Sequence, residues 1–262
     1  MSETDELRAH LLCLNLTRMA ELYESEASRA AQMKLSYTGF LSRLATEELM
    51  AKTDRSIKHR LKLARFPALK TIEGFDFTFQ SSVNELQVKE LSELGFMARA
   101  ENVILIGPPG VGKTHLAIGL GVKACMMRKP VYFVSALTLL DELAAAVAIK
   151  GLATRLEQLS RLSLLIIDEL GYLPMDKVRA NLFFQLVNRC YERTSIIIST
   201  NRAFNQWGEV LSDEVIAGAV LDRLLHHGHI IAIQGESYRI RGKLKSSLDP
   251  KAAAGDNPAA QK

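Results

Sequence analysis

Apolar residues recur at helical spacing through roughly the first 65 positions. Leu12, Leu16, Met19 and Tyr23 mark one stretch, and Tyr37, Leu41 and Leu44 share a second, mixed face with Glu48. A third helical stretch, TDRSIKHRLKLARF, puts Ile57, Leu61 and Ala64 on one side and Arg55, Lys58 and Lys62 on the other. Pro67 and Gly74 then break the period within FPALKTIEGFDFTF, which reads as a connector. Beyond it, short aliphatic runs alternate with helical segments. The runs are NVILI (102–106), VYFV (131–134), LLIID (164–168), SIIIS (195–199) and HIIAI (229–233). Helices are expected after the glycines at 107–112, across LTLLDELAAAVAI and across DKVRANLFFQLVNRCYER. Strands apolar on both faces and separated by helices predict a parallel sheet covered on both sides. The expected organisation is therefore a small all-helical domain (1–66), a connector (67–80), an α/β domain (81–245) and an aperiodic, disordered tail (246–262).

Composition narrows the class without naming a chemistry. A chain of 262 residues, 48% of them hydrophobic, can build one sizeable core and an appendage. Its 33 basic and 29 acidic residues leave a net charge of only +4, so the distribution of charge matters more than its mean. Cys13, Cys125 and Cys190 are odd in number and lack CxxC spacing. That argues against a disulfide framework or a cysteine zinc site and fits a reducing compartment. The start, MSETDELRAHLLCLN, has no signal-peptide pattern, and no run approaches the roughly 18 apolar residues of a membrane span. A cytoplasmic location is expected.

The chemistry enters at VILIGPPGVGKTHLA. Gly107-Pro108-Pro109-Gly110-Val111-Gly112-Lys113-Thr114 fits G-x-x-x-x-G-K-[ST], with an expected strand before it and a helix after it. So little side chain lets main-chain amides close on a phosphate, and the helix adds its positive end. Lys113 would reach the β- and γ-phosphates of ATP, the Thr114 hydroxyl would ligate Mg²⁺, and His115 continues the nucleotide wall. Asp168 ends an apolar strand where a carboxylate can complete the magnesium shell. Glu169, next in the chain, is placed to deprotonate an attacking water. Asn201, after the strand IIIST, would reach the γ-phosphate or that water. In P-loop ATPases with such an acid, this strand lies between the glycine-loop strand and the aspartate strand. Arg223, within AGAVLDRLLHHG, is a charge in a leucine-rich helix and could reach a neighbouring subunit's γ-phosphate, unless it simply pairs with Asp222 or another acid.

At these residues the chain resembles the AAA+ ATPases, and specifically the IstB-like transposition helpers of bacterial insertion sequences. ARFPALKTIEGFDF, LIGPPGVGKTHLA, LLIIDELGYLP, STNRAFNQWGEV, GAVLDRLLHHGHII and GESYRIRG carry the likeness, over roughly residues 5–245. The resemblance implies a P-loop three-layer αβα domain with a five-stranded parallel sheet. It also implies an ATPase that forms a ring or filament on double-stranded DNA, with ATP sites shared between subunits, and that engages a partner transposase. Replicative helicase loaders share the layout and are the alternative reading. Too few residues follow the last expected strand to build the usual helical lid; Arg239 in ESYRIR is the candidate substitute for the lid's arginine.

Charge clustering suggests where DNA would lie. Seven Lys or Arg residues fall between Lys52 and Lys70, against the single acid Asp54. Arg239, Arg241, Lys243 and Lys245 form a second basic strip. Such clusters neutralise backbone phosphates, although a basic run is as often a solvated face, and the resemblance tips the choice towards DNA through Arg55, Lys58 and Lys62. His226, His227 and His229 invite a metal reading, but no Cys or carboxylate stands at ligand spacing, so a helix end is expected. Of Phe183 and Phe184, one ring is expected on the sheet. A small-molecule kinase would need an acceptor pocket and an arginine-rich lid, and a GTPase an N-K-x-D motif; TNRAF is not one.

Overall fold

A computed structural model describes residues 3–240, and its contacts divide the chain into two compact units after Arg60. The tail 246–262 and the basic residues Arg241, Lys243 and Lys245 lie outside the described residues. Among the described residues, no helix is long and apolar enough to cross a membrane.

The first unit contains α1 (Glu3–Cys13), α2 (Thr17–Gln32) and most of α3 (Tyr37–Leu63). The second and third expected helical stretches are thus one helix of 27 residues, because no glycine or proline interrupts Leu41 to Leu63. Leu11, Ala20, Tyr23 and Leu44 form its small core, with Leu16, Met19, Leu22 and Phe40 packed against it. Leu12, Tyr37 and Leu41 are exposed instead. The turn at Asn15 (φ 57°) separates α1 from α2, so Leu12 does not continue the face of Leu16 and Leu11 turns inward. Glu48 is buried and accepts from the Met19 N–H at 2.9 Å, which satisfies a donor in the first turn of α2. Its other oxygen accepts from Arg55 Nη2 at 2.9 Å.

The second unit contains β1 (Asn102–Ile106), β2 (Val131–Ser135), β3 (Leu164–Leu170), β4 (Ser195–Thr200) and β5 (Gly228–Ala232), all parallel, in the order β2-β3-β4-β1-β5. Each coincides with an expected aliphatic run to within two residues at an end. Successive strand residues face opposite sides and feed two cores. Val103, Leu105, Leu164, Ile166 and Ile197 join one, while Ile104, Leu165, Ile167, Ile196 and Ile198 join the other. The first core is covered by α4 (Glu85–Ser92), α5 (Gly95–Ala98) and α6 (Lys113–Met126). The second is covered by α7 (Ala136–Ala148), α8 (Leu152–Ser160), α9 (Lys177–Cys190), α10 (Trp207–Leu211) and α11 (Glu214–His226). The result is the expected three-layer αβα arrangement. Residues 67–80, expected as a connector, belong to this compact unit, with Ile72 and Phe75 in its core.

Phe183 on α9 is 0% exposed, whereas Phe184 is only half-buried. Replacing Phe183 by Ala removes a ring from a close-packed layer and is expected to destabilise the unit by about 3–5 kcal/mol. Denaturant unfolding would show this as a lowered midpoint at unchanged slope.

Candidate nucleotide-binding site

The site forms where β1, β3 and β4 end side by side. Gly107 N–H donates to Thr200 O (3.1 Å), which ties the start of the glycine loop to the end of β4. β4 itself lies between β1 and β3, as expected for the strand leading to Asn201. Glycine is required twice in the loop by conformation: Gly110 has φ +82° and Gly112 φ +104°. A Cβ on Gly112 would also come 2.6 Å from the ring of Phe75, and one on Gly110 would meet Ser237. Val111 is fully buried and anchors the loop, and α6 begins at Lys113 with its N–H groups facing the loop.

Beside the loop, the Thr114 hydroxyl donates to both carboxylate oxygens of Asp168, at 3.0 Å each. Asp168 is 7% exposed and also accepts from the Ser199 hydroxyl. Ser199 in turn accepts from the Glu169 N–H at 2.9 Å. Pairing of β3 with β4 shifts register between Ile167 and Leu170, and Glu169 sits there at φ 61°. A bulge with a non-glycine residue in the left-handed region turns the Glu169 side chain out of the strand's alternation, so it is exposed beside buried Asp168. The sequence marks the two acids; the bulge that separates their side chains and the Ser199 bridge come only from the fold.

Lys113 Nζ donates to the carbonyls of Gly107 and Pro108, both at 2.7 Å. Burial lowers the pKa of this ammonium, and the charge of Arg239 pushes the same way, while Asp168 and Glu169 oppose it. Lys70, Lys113 and Arg239 all line one cavity beside a helix N-terminus, a potential suited to a polyanion. That cavity, of about 890 Å³, is lined by Pro109 to His115, Glu169, Ser199, Thr200 and Asn201. The volume is that of a small-molecule site. A hydroxyl and a carboxylate side by side are hard oxygen ligands of the kind Mg²⁺ takes, so Thr114 and Asp168 fit a magnesium–nucleotide.

Two walls come from segments outside the motifs, and the sequence pointed to the second only through Arg239. Residues 67–80 supply one through Pro67, Lys70, Phe75, Asp76 and Gln80. His115 Nε2 lies 2.9 Å from Thr71 O, and its ring meets Phe75 edge-on at 5.4 Å. The other wall is the segment after β5, which crosses the glycine loop as a strap. Tyr238 N–H donates to Gly110 O (3.0 Å), Gln80 Nε2 to Glu236 O (3.0 Å) and Ser82 Oγ to Gln234 O (2.7 Å). The strap brings Tyr238 and Arg239 to the cavity.

The remaining candidates lie elsewhere. Arg223 does not line the cavity: its Nε donates to Asn188 Oδ1 (3.0 Å), its Nη1 to Ala219 O (2.9 Å), and its guanidinium lies 5.2 Å over the Phe184 ring. Asp222 is not its partner. Arg55, Lys58 and Lys62 are exposed on α3. Arg55 is held by Glu48, whereas Lys58 and Lys62 form no ion pair among the described residues.

The sequence profile of the IstB-like ATP binding proteins matches residues 9–246. A protein named for ATP binding in insertion sequence IS21 of Pseudomonas aeruginosa is 46% identical over 243 residues, 93% of this chain and 92% of that one. Its counterpart in insertion sequence IS5376 of Geobacillus stearothermophilus is 44% identical over 238 residues, 90% of this chain and 95% of its own. Among solved structures, DnaI shares the fold at TM-score 0.53 and 19% identity, over 67% of this chain and 92% of its own. AMPPCP-bound DnaA from Aquifex aeolicus does so at TM-score 0.53 and 23% identity, over 67% of this chain and 55% of its own. At such identities the likeness speaks to the fold alone.

Proposed function

The chain belongs to the family of IstB-like ATP binding proteins, and from that premise we propose that it is an ATPase that assembles on double-stranded DNA and recruits or stimulates a partner transposase. The observation that carries the ATPase reading is Thr114 hydrogen-bonded to both oxygens of Asp168, with Glu169 turned out at a bulge beside them. Thr114 and Asp168 would hold Mg²⁺, which when bound neutralises charge between the β- and γ-phosphates. Loop amides from Gly110 to Thr114 bind the phosphates, and Lys113 exchanges its carbonyl partners for phosphate oxygens. Glu169 accepts a proton from water as the water oxygen attacks the γ-phosphorus and the bond to the β-phosphate oxygen breaks, giving ADP and phosphate. Asn201 orients that water, and Arg239 on the strap contacts phosphate from the same subunit.

Arg223 acts in the next subunit's site. Its distance from its own chain's cavity, and its support by Asn188 and Phe184 on α9, suit a residue presented across an interface. ATP held by two subunits favours the oligomer by mass action, and hydrolysis removes that preference. On DNA, Lys58 and Lys62 contact phosphates, and Arg55 joins them on leaving Glu48. A helicase loader would use the same motor. Recovery of a transposase, rather than a replicative helicase, on the ATP-bound oligomer separates the two readings.

The test is ATPase rate against double-stranded DNA at two salt concentrations. Stimulation should fade as salt rises, because each phosphate contact releases counterions. Replacing both Lys58 and Lys62 by Ala should flatten the log–log salt dependence of DNA binding by about two. A rate indifferent to DNA at low salt would remove DNA from the proposal.

A further inference from the structure

The HHGH motif, which lacked a carboxylate at ligand spacing in the sequence, gains one in the fold. His226 closes α11 and His227 follows it, while Glu192 stands in the turn between α9 and β4. One ligand atom from each lies within 4.8 Å of the other two. The donor atoms of a tetrahedral zinc site lie about 3.4 Å apart, given bonds near 2.0–2.1 Å. All three side chains are exposed, so rotamer adjustment closes that difference without a backbone shift.

The backbone beneath them is fixed. His227 O accepts from the Asn102 N–H at 2.8 Å, which ties it to β1. On the other side, Arg193 and Thr194 N–H both donate to Cys190 O, at 3.0 and 2.9 Å, and the Thr194 hydroxyl donates to Ser160 O at 2.8 Å. Tyr191 supplies an outer contact: its hydroxyl lies 2.8 Å from His226 Nδ1, the kind of bond that sets the tautomer and orientation of a ligating imidazole. A simple ion pair does not account for the group. His227 Nε2 and Glu192 Oε1 are 3.7 Å apart, beyond a hydrogen bond, and His226 has no part in that pair.

We propose that Glu192, His226 and His227 form a transition-metal site that takes Zn²⁺ or a neighbouring d-block ion, with water completing the shell. Two imidazoles and one carboxylate select such ions over Mg²⁺, which prefers an all-oxygen shell. The site is separate from Thr114 and Asp168. A bound ion joins the turn after α9 to the end of α11, and these helices carry Arg223 and its partners Phe184 and Asn188. Under the role proposed above for Arg223, occupancy would steady that arginine; the binding itself does not depend on that role.

The full chain, freed of metal by chelator and dialysis, is titrated with Co²⁺ while its visible d–d absorption is followed, and Zn²⁺ is then added in competition. About one Co²⁺ per chain should bind with the spectrum of imidazole ligation and be displaced by Zn²⁺. His226→Ala/His227→Ala and, separately, Glu192→Gln should each weaken Co²⁺ binding about tenfold or more. Nucleotide affinity unchanged in each variant shows that it remains folded. Equal Co²⁺ affinity and spectrum in the wild type and both variants would overturn the site. So would a Co²⁺ signal abolished by Asp168→Asn but not by the histidine pair. Should the double variant fail to fold, Glu192→Gln, on an exposed turn, decides alone.

Discussion

Glu169→Gln should leave ATP bound and unhydrolysed, with turnover lower by about 10²–10⁴. The substitution keeps the side chain's size and removes only its capacity to take a proton. The geometry argues that little else changes. The backbone N–H of Glu169 makes the bond to Ser199, and its side chain is exposed at the bulge and not part of a core. Asp168 keeps its bonds to Thr114 and Ser199, so the candidate cation site is undisturbed. Single-turnover hydrolysis and a fluorescent-nucleotide titration measure the two halves of the expectation. If the variant hydrolyses ATP at the wild-type rate, Glu169 is not the base. If it loses nucleotide binding as well, the side chain has a ground-state role that its position does not suggest.

Arg223→Ala should cost more, about 10³–10⁵ in turnover, the range for an arginine that meets transition-state charge. Because Arg223 also bonds Asn188 and covers Phe184, a loss of rate alone does not separate chemistry from packing. Mixing does. Neither Arg223→Ala nor Lys113→Ala subunits hydrolyse alone, but an interface with its loop from the first and its arginine from the second is complete. In random equal mixtures about one interface in four is of that kind, so about a quarter of the wild-type rate should return. No recovery at a concentration where the mixed chains co-assemble would place Arg223 outside the shared site.

The strands could be read from sequence because each is a burst of β-branched and aliphatic residues bounded by turn formers, a signal that a doubly covered parallel sheet requires. The glycine loop and the Asp168–Glu169 pair were readable for the same reason: each sits directly at a strand end. What escaped was whatever depends on residues distant in the chain. Glu192 and His226 are 34 positions apart and meet only because α9 and α11 pack on one face of the sheet. Residues 67–80 looked like a linker because Ile72, Phe75 and Phe77 follow neither a 2.0 nor a 3.6 period; their aromatic content was the available clue. α5 and α10, of four and five residues, are too short for a periodic signal. Glu48 was visible as an acid on a mixed face, but that it is buried and engages Arg55 was not.

Gly110 offers its carbonyl to Tyr238, so the phosphate-gripping loop and the stretch leading out of the sheet are hitched together by their main chains. A hitch of that kind cannot distinguish push from pull: a loop that shifts as it closes on a nucleotide drags the outgoing chain with it, and a partner tugging at the outgoing chain would feel its way back to the loop. Occupancy of the pocket and the placement of Tyr238 and Arg239 are then two readings of one lever.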